Sequence, residues 1–505
     1  MLQSSLFGNN QKITQSVRER NESLRNKAQG ASAKQGNITV RSGNALSQKI
    51  QLIRQLAETK LQHEVGKYDL ITAEAEFSEY IDKCIENGIV SLDTETTGLD
   101  PITNHMVGSC LYTPGKKGCY IPNKHTDMTG NVLEGQLTYE QVKPHYQRLV
   151  DAGVKFILHN AKFDLRVFTN SIGVKFDPYW CTHIASNLLN ENEPHGLKVL
   201  YGKYVEKGKA VANNEVNTFS NLFDGVPFNF VPLDVAVLYA GKDPEMTYKL
   251  YKFQEQFLDA TSDKCYNSNL IEAAHLFRKI EMPLVKYLAE MEDTGLFINT
   301  ELSDALSVEY HELMRNAAQT AADIISSEFK DLLLALPPAK RNKLGGTIEI
   351  GDGKPGITAM ISIGSSTQLA ILLYDALGLK SPDRGKPRGT GEDILEGLSR
   401  ANKNAPDAVM NLVKAVLEYR KAGKMLSTYV DKLPRVVKEK TGKLHCNFNQ
   451  YGAKTGRMSS SDPNLQNIPS HGPGKRVRKM FSAGPGRVLV SSDFSFVKLA
   501  EVKLS

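Results

Sequence analysis

From Tyr68 onward, short apolar runs alternate with stretches in which apolar residues recur every three or four positions. These two periods read as strands and helices in turn. They predict a strand near Tyr68, a helix over 73–86, a strand through Ile89, Val90 and Leu92, short strands over 107–112 and 118–121, a helix over 139–151 and a strand over 154–158. Strands followed by helices predict an α/β region, a sheet with helices packed on its faces. Ahead of it, Ile50, Ile53, Leu56 and Leu61 keep a helical spacing over 46–65, whereas residues 1 to about 45 are rich in Gln, Asn, Ser, Gly and Lys and predict disorder or a loose helix. Beyond about residue 260 the pattern turns helical. The stretch 273–292 predicts a helix with Phe277, Ile280, Leu284, Leu288 and Met291 on its apolar face, kinked at Pro283 and ended by Thr294 and Gly295. The Gly-rich stretch from Gly345 to Gly356 predicts a loop or hairpin.

A chain of 505 residues has room for two or three domains. Its 41% hydrophobic and 23% charged content is that of a soluble globular protein, with no apolar run long enough to span a membrane and no signal peptide at the polar N-terminus. A cytoplasmic protein is expected. The six cysteines form no CxxC pair, which argues against a zinc site or a disulfide framework and for reduced thiols. The net charge of +6 is unevenly placed: residues 1–66 hold ten Lys or Arg against four Asp or Glu, and 435–479 hold ten against two. Basic tracts of this kind suit a phosphate backbone, although a solvated charged face has the same composition.

The candidate chemistry begins at residues 91–101, SLDTETTGLDP. Side chains two apart on a strand share a face, so Asp93 and Glu95 converge. Paired carboxylates repel, and a hard divalent cation is the usual reason to keep them together; a strand end before a polar turn is the plainer alternative. Asn160 and Asp164, in HNAKFDLRVF, stand four apart where a helix opens, and the Asn160 amide can bond a substrate or brace the site. Tyr239 and Asp243 stand four apart in an apolar helix, which Pro244 should kink or restart. The three acidic stretches follow in order, 71 and 79 residues apart from acid to acid.

With DxE, NxxFD and Yx3D in that order, residues 67–258 resemble the DEDDy 3′-5′ exonuclease domain of family A DNA polymerases. The resemblance implies a ribonuclease H-like mixed sheet with helices around it. It also implies two Mg²⁺ or Mn²⁺ ions, one held by Asp93, Glu95 and Asp243 and the other by Asp93 and Asp164, about 4 Å apart and serving an in-line displacement. Tyr239 would orient the attacking water together with Glu95; a phenol with a pKa of about 10 positions rather than deprotonates.

Farther on, IEMPLVKYLAEMEDTGLFI, SIGSSTQLAILLYDALGL, EDILEGL and VLEYRKAGKMLSTYVDKLP resemble the family's helical thumb, over 259–440, which grips a primer-template duplex. NQYGAKTGRMSSSDPNLQNIP is polar and turn-rich and resembles the family signature TGRxSSxxPNLQNIP, by which Arg457, Asn464, Gln466 and Asn467 would contact the primer-template. RVLVSSDFS predicts an apolar strand ending at Asp493, matching the aspartate that binds the polymerase metals.

There the resemblance stops, at Ser495. Lys498 stands where the family has a glutamate, and neither the fingers helix nor the HDE strand follows. The expected architecture is a flexible basic extension over 1–66, an α/β exonuclease domain over 67–258 that can be independent, a mainly helical thumb, and an incomplete palm over 441–505. An interrupted reading frame of a phage-type enzyme would produce that pattern, with the cytoplasm of a bacterial or phage-infected cell as its location. The expected activity is 3′-5′ removal of nucleotides from DNA, with polymerisation only if a C-terminal polymerase fragment completes the site. Two other readings stay open: a non-catalytic DNA-binding fragment, and a ribonuclease D-like enzyme, which shares the acids but not the thumb and TGRMSS words.

Overall fold

The computed structural model describes residues 43–208, 222, 223, 225–453, 456–469, 471, 472 and 474–490. The expected loose segment up to residue 42, and Asp493 with Ser495 and Lys498, lie outside the described residues. The described residues divide into two compact units, one built from residues 43–295 and 438–466, the other from 296–437 and 467–490.

The first unit is an α/β body on a six-stranded sheet. Its elements in chain order are α1 (Gly43–Lys60), β1 (Asp69–Leu70), α2 (Glu74–Asn87), β2 (Ile89–Thr96), β3 (Met106–Tyr112), β4 (Cys119–Pro122), α3 (Tyr139–Asp151), β5 (Lys155–Leu158), α4 (Ala161–Ile172), β6 (Pro178–Cys181), α5 (Thr182–Leu189), α6 (Leu197–Leu200), α7 (Leu233–Ala240), α8 (Asp243–Leu258) and α9 (Met282–Thr294). The strand order is β1-β4-β3-β2-β5-β6. β3 runs antiparallel to both β2 and β4, while β1 with β4, β2 with β5 and β5 with β6 are parallel, so the sheet is mixed.

One core joins Val90, Leu92 and Ile157 of the sheet to Phe77 and Ile81 of α2, Tyr146 of α3, Phe168 of α4 and the fully buried Trp180. A second core sets Ile53, Ala57 and Leu61 against Val107, Cys110 and Tyr120 of the sheet and Val235 and Ala236 of α7. The helical spacing of Ile53, Ala57 and Leu61 gives α1 an apolar stripe to bury. Residues from Gly43 on are therefore part of this body, where the sequence reading had a flexible extension up to residue 66. All six cysteines are buried, unpaired thiols.

The helix before Gly295 differs from its expected face. A π-helical turn over Phe277–Glu281 precedes α9, and the buried residues are Phe277, Met282, Val285, Leu288 and Ala289, with Ile280 and Met291 exposed. One extra residue in a turn rotates everything after it by about 100°, so the apolar stripe read at constant period slips off the core.

In the second unit, β7 (Phe297–Ile298) leads into the long α10 (Thr300–Glu328), capped by the Asn299 side chain, which accepts from the Leu302 N–H at 2.9 Å. The expected hairpin forms as β8 (Gly346–Ile348) and β9 (Ile357–Ala359), antiparallel. α11 (Asp407–Met425) packs against α10 through Leu412, Val416, Ala318 and Ile325. The unit is mainly helical.

The chain then contributes β10 (Asn447–Asn449) and β11 (Ser459–Ser461), an antiparallel pair, to the first unit. β12 (Phe481–Ser482) pairs with β7 in the second. Val488, Leu489 and Val490, the described part of the expected strand before Asp493, are exposed and lie in no strand, because no described strand pairs with them. Among the described residues, no helix is long and apolar enough to cross a membrane.

Candidate active site

β2 delivers Asp93 and Glu95 to one face of the sheet, opposite Cys110 and Gly108 of β3. On its other side β2 pairs with β5 only over Ile89–Ser91, so its acidic end runs past that partner. Into this space the chain turns from β5 to α4 through Asn160, whose φ of 64° lies in the left-handed region that asparagine tolerates better than most residues. One helical turn later Asp164 faces β2, where its Oδ1 accepts from Thr94 Oγ1 at 2.6 Å. Asn160 itself is exposed at the helix start.

Tyr239 and Asp243 come from two helices, not one. α7 ends at Ala240 and α8 opens at Asp243 with Pro244 in its first turn, as the proline predicts. Gly241 allows the break: a Cβ there would come within 2.7 Å of the Val237 carbonyl and 2.8 Å of Tyr68. Asp243 thus sits at a helix N-terminus, where a negative charge is favoured.

The four carboxylates feel one another. Burial and the Asp243 charge push Asp93 up to about 7. Burial, then Asp93 and Asp243, raise Glu95 well above the usual range; burial and Asp93 do the same for Asp164. Tyr239 is raised by burial and by the charges of Asp243, Glu95 and Asp93, which keeps it a neutral phenol. The sequence-derived set Asp93, Glu95, Asp164, Tyr239 and Asp243 therefore forms one centre.

Two residues of this centre were missed by sequence reasoning. Thr94 lies between the acids on β2 and binds Asp164. Lys198, on the short α6, places Nζ 3.5 Å from Asp243 Oδ2 and 4.2 Å from the Tyr239 ring centre. A lone lysine in the apolar word GLKVL was its only trace in the sequence.

Whether the site suits a divalent cation is decided by the donors. Asp243 Oδ1 is buried and receives no hydrogen bond, and the neighbouring acids are raised by burial and, after it, by mutual repulsion. Hard anionic oxygens lacking a donor fit Mg²⁺ or Mn²⁺. Among the described residues, however, no three His, Cys, Asp or Glu side chains already stand around a common metal position: Thr94 engages Asp164 and Lys198 engages Asp243. The chemistry of the donors fits; their present arrangement is held by protein partners.

A second charged centre lies on the same helix. Lys162 and Arg166 of α4 each reach the buried Glu292 of α9 at 2.6 Å, and Arg166 also binds Asp293 at 2.7 Å. The Phe448 N–H of β10 donates to Glu292 at 2.5 Å, and Lys162 also donates to the Phe448 carbonyl. His445 Nδ1 binds the Glu292 carbonyl at 2.6 Å. Nearby, the His183 ring stacks on His159 at 5.3 Å and on Tyr451 at 4.3 Å. Burial pushes His159 down to about 3 and His183 down to about 4, so both imidazoles are neutral.

Of the signature residues, Arg457, Asn464 and Gln466 are exposed in the first unit, with the Gln466 N–H donating to Asn464 Oδ1 at 3.0 Å. Asn467 is exposed in the second unit, and its carbonyl accepts from the Tyr429 hydroxyl at 2.5 Å.

Comparison with known proteins gives two family matches, 3′-5′ exonuclease over residues 68–258 and DNA polymerase family A over residues 355–501. The second match extends beyond Ser495. The chain is 28% identical over 455 residues to DNA polymerase I of Pseudomonas aeruginosa, covering 88% of this chain and 43% of that protein. It is 27% identical over 438 residues to DNA polymerase I of Borreliella burgdorferi, covering 86% and 41%. The chain thus spans about two fifths of the length of these relatives. Among solved structures, the POL domain of Pol1 from M. smegmatis, in complex with DNA primer-template and dNTP, shares the fold with a TM-score of 0.59 at 20% identity, covering 83% of this chain and 59% of that one.

Proposed function

Because the chain belongs to the family A DNA polymerases, with a 3′-5′ exonuclease domain and part of a polymerase domain, we propose that its acidic centre hydrolyses the 3′-terminal phosphodiester of DNA. The observation that carries this reading is the gathering of Asp93, Glu95, Asp164 and Asp243, with Asp243 Oδ1 buried and without a donor. Asp93, Glu95 and Asp243 would hold one Mg²⁺ or Mn²⁺, and Asp93 with Asp164 a second. Two such ions, when bound, supply a nucleophile at neutral pH and charge stabilisation for the departing 3′ oxygen. Tyr239 orients the attacking water through its hydroxyl with Glu95 as the accepting partner, and its raised pKa keeps that proton in place. Thr94 fixes the rotamer of Asp164. Asn160, exposed at the opening of α4, offers its amide to the strand being cut.

In the same reading the second unit and the signature segment bind primer-template DNA, with Arg457, Asn464, Gln466 and Asn467 as contacts and Asp493 as a metal ligand. Nucleotide addition is not assigned to this stretch, since Lys498 stands where a second carboxylate is expected. A DNA substrate and bacterial relatives support the cytoplasm of a bacterial or phage-infected cell as the location.

The test is direct. Purified protein with Mg²⁺ or Mn²⁺ should shorten a 5′-labelled single strand from its 3′ end, and Asp93→Ala should slow this by about a hundredfold or more. No shortening by the wild type, or shortening unaffected by Asp93→Ala, removes the reading and leaves DNA binding alone.

A further inference from the structure

We propose that Lys198 is a positioning residue of the acidic centre, a tethered cation that holds Asp243 and Tyr239 in one arrangement and competes with a divalent ion for Asp243. The proposal rests on the hydrolytic reading above. Tyr239 and Asp243 belong to different helices, joined by the Gly241–Lys242 break, so helix geometry alone does not fix one against the other. Lys198 touches both. Its Nζ lies 3.5 Å from Asp243 Oδ2 and 4.2 Å over the Tyr239 ring, and its side chain is only 17% exposed.

An ammonium over the face of a phenol leaves the hydroxyl at the ring edge available to another partner. The same ammonium also neutralises part of the charge on Asp93 and Glu95, for both of which it is an attractive neighbour. Lys242, next to Asp243 in sequence, forms an ion pair with Glu64 at 3.8 Å. Lys198 lies on α6, whose Leu200 is buried and which continues into the π-helical turn Tyr201–Val205, so its backbone is held in a packed element.

Removal of Lys198 should have two effects of opposite sign. Without the competing charge, a divalent ion meets Asp243 unopposed and binds more tightly. Without the ammonium that spans the helix break, Tyr239 and Asp243 lose their common register and hydrolysis slows. A side chain needed only for folding would weaken both.

The experiment uses the full chain and two readouts: Mn²⁺ affinity from the electron paramagnetic resonance signal of free Mn²⁺, and single-turnover shortening of a labelled single strand at saturating Mn²⁺. Lys198→Met should bind Mn²⁺ about threefold to tenfold more tightly while cleaving about tenfold more slowly. Lys198→Arg, which keeps the charge, should return the affinity to the wild-type value and recover most of the rate. Unchanged or weaker Mn²⁺ binding by Lys198→Met overturns the proposal, as does an unchanged rate. If the Met variant does not fold, Lys198→Gln replaces it with the same expectations. A wild type that neither binds Mn²⁺ nor cleaves overturns the hydrolytic reading itself, whereas a wild type that does both and a variant that matches it overturns only the role of Lys198.

Discussion

Helix α4 carries two charged centres, and they are built on opposite plans. On one side Asp164 joins three other carboxylates, with Lys198 the cation in contact, and one buried oxygen has no donor. On the other, Lys162 and Arg166 meet Glu292 and Asp293, with a backbone N–H from β10 completing the shell of Glu292. Burial makes both arrangements costly. Where charge is balanced by fixed partners, the centre holds the fold together. Where it is left unbalanced, something from solution has to supply the rest.

The largest effect should come from upsetting the balanced centre. Glu292→Ala leaves the buried Arg166 and the half-buried Lys162 without their shared acid and should cost about 3–5 kcal/mol, read from the denaturant midpoint of the first unit. A loss below about 1 kcal/mol would mean that Lys162 and Arg166 find water instead, and the contrast between the two centres would weaken.

The unbalanced centre should reveal itself through pH. Asp93 titrates at about 7 in the folded protein, and Glu95 and Asp164 are also raised, whereas unfolded carboxylates titrate at about 4. Between these values the folded state binds more protons than the unfolded one. Stability without metal should therefore be highest at about pH 4, as far as these groups are concerned, and fall as pH rises to about 7, by on the order of 3 kcal/mol. Thermal unfolding in a chelating buffer across that range checks it; a rise in stability over the same window would contradict the repulsion described here.

Divalent ions should offset that loss. At a hundred times its dissociation constant, Mn²⁺ should stabilise the wild type at pH 7.5 by about 2.7 kcal/mol and leave an Asp93→Asn, Asp243→Asn variant unmoved. Equal shifts in both proteins would place the ion elsewhere.

The smallest effect concerns the turn between the centres. Asn160→Gly keeps the left-handed backbone and deletes the amide, so stability should change by less than about 1 kcal/mol while affinity for a single strand falls. If binding is unchanged, the exposed amide has no role in gripping DNA.

The acids were legible in the sequence because strand and helix periods fix which neighbours share a face: Asp93 with Glu95, and Asp164 one turn after Asn160. Pro244 likewise announced the start of α8. The mixed sheet and the helical second unit also agree with the sequence reading. What stayed hidden depends on distance along the chain. Glu292 lies 130 residues from Lys162 and Phe448 a further 156 from Glu292, and no local pattern links them. Lys198 sits in a helix of four residues, too short to show a period. The π-helical turn at Phe277 is hidden for the opposite reason, since the backbone inserts a residue into a sequence pattern that keeps a regular period.

The contribution of residues 438–466 to the first unit bears on how this protein can be taken apart. A gene trimmed after Leu258, where the family match and the sequence pattern both end, omits Glu292 and Asp293, the partners of Lys162 and Arg166, and also Tyr451, the ring on which His183 stacks. Extending it to Gly295 restores the acids but not β10. Exchange of this module between related chains at that seam would carry the four acids across and leave behind the residues that steady the helix bearing one of them. A workable graft has to take two separate stretches of the gene.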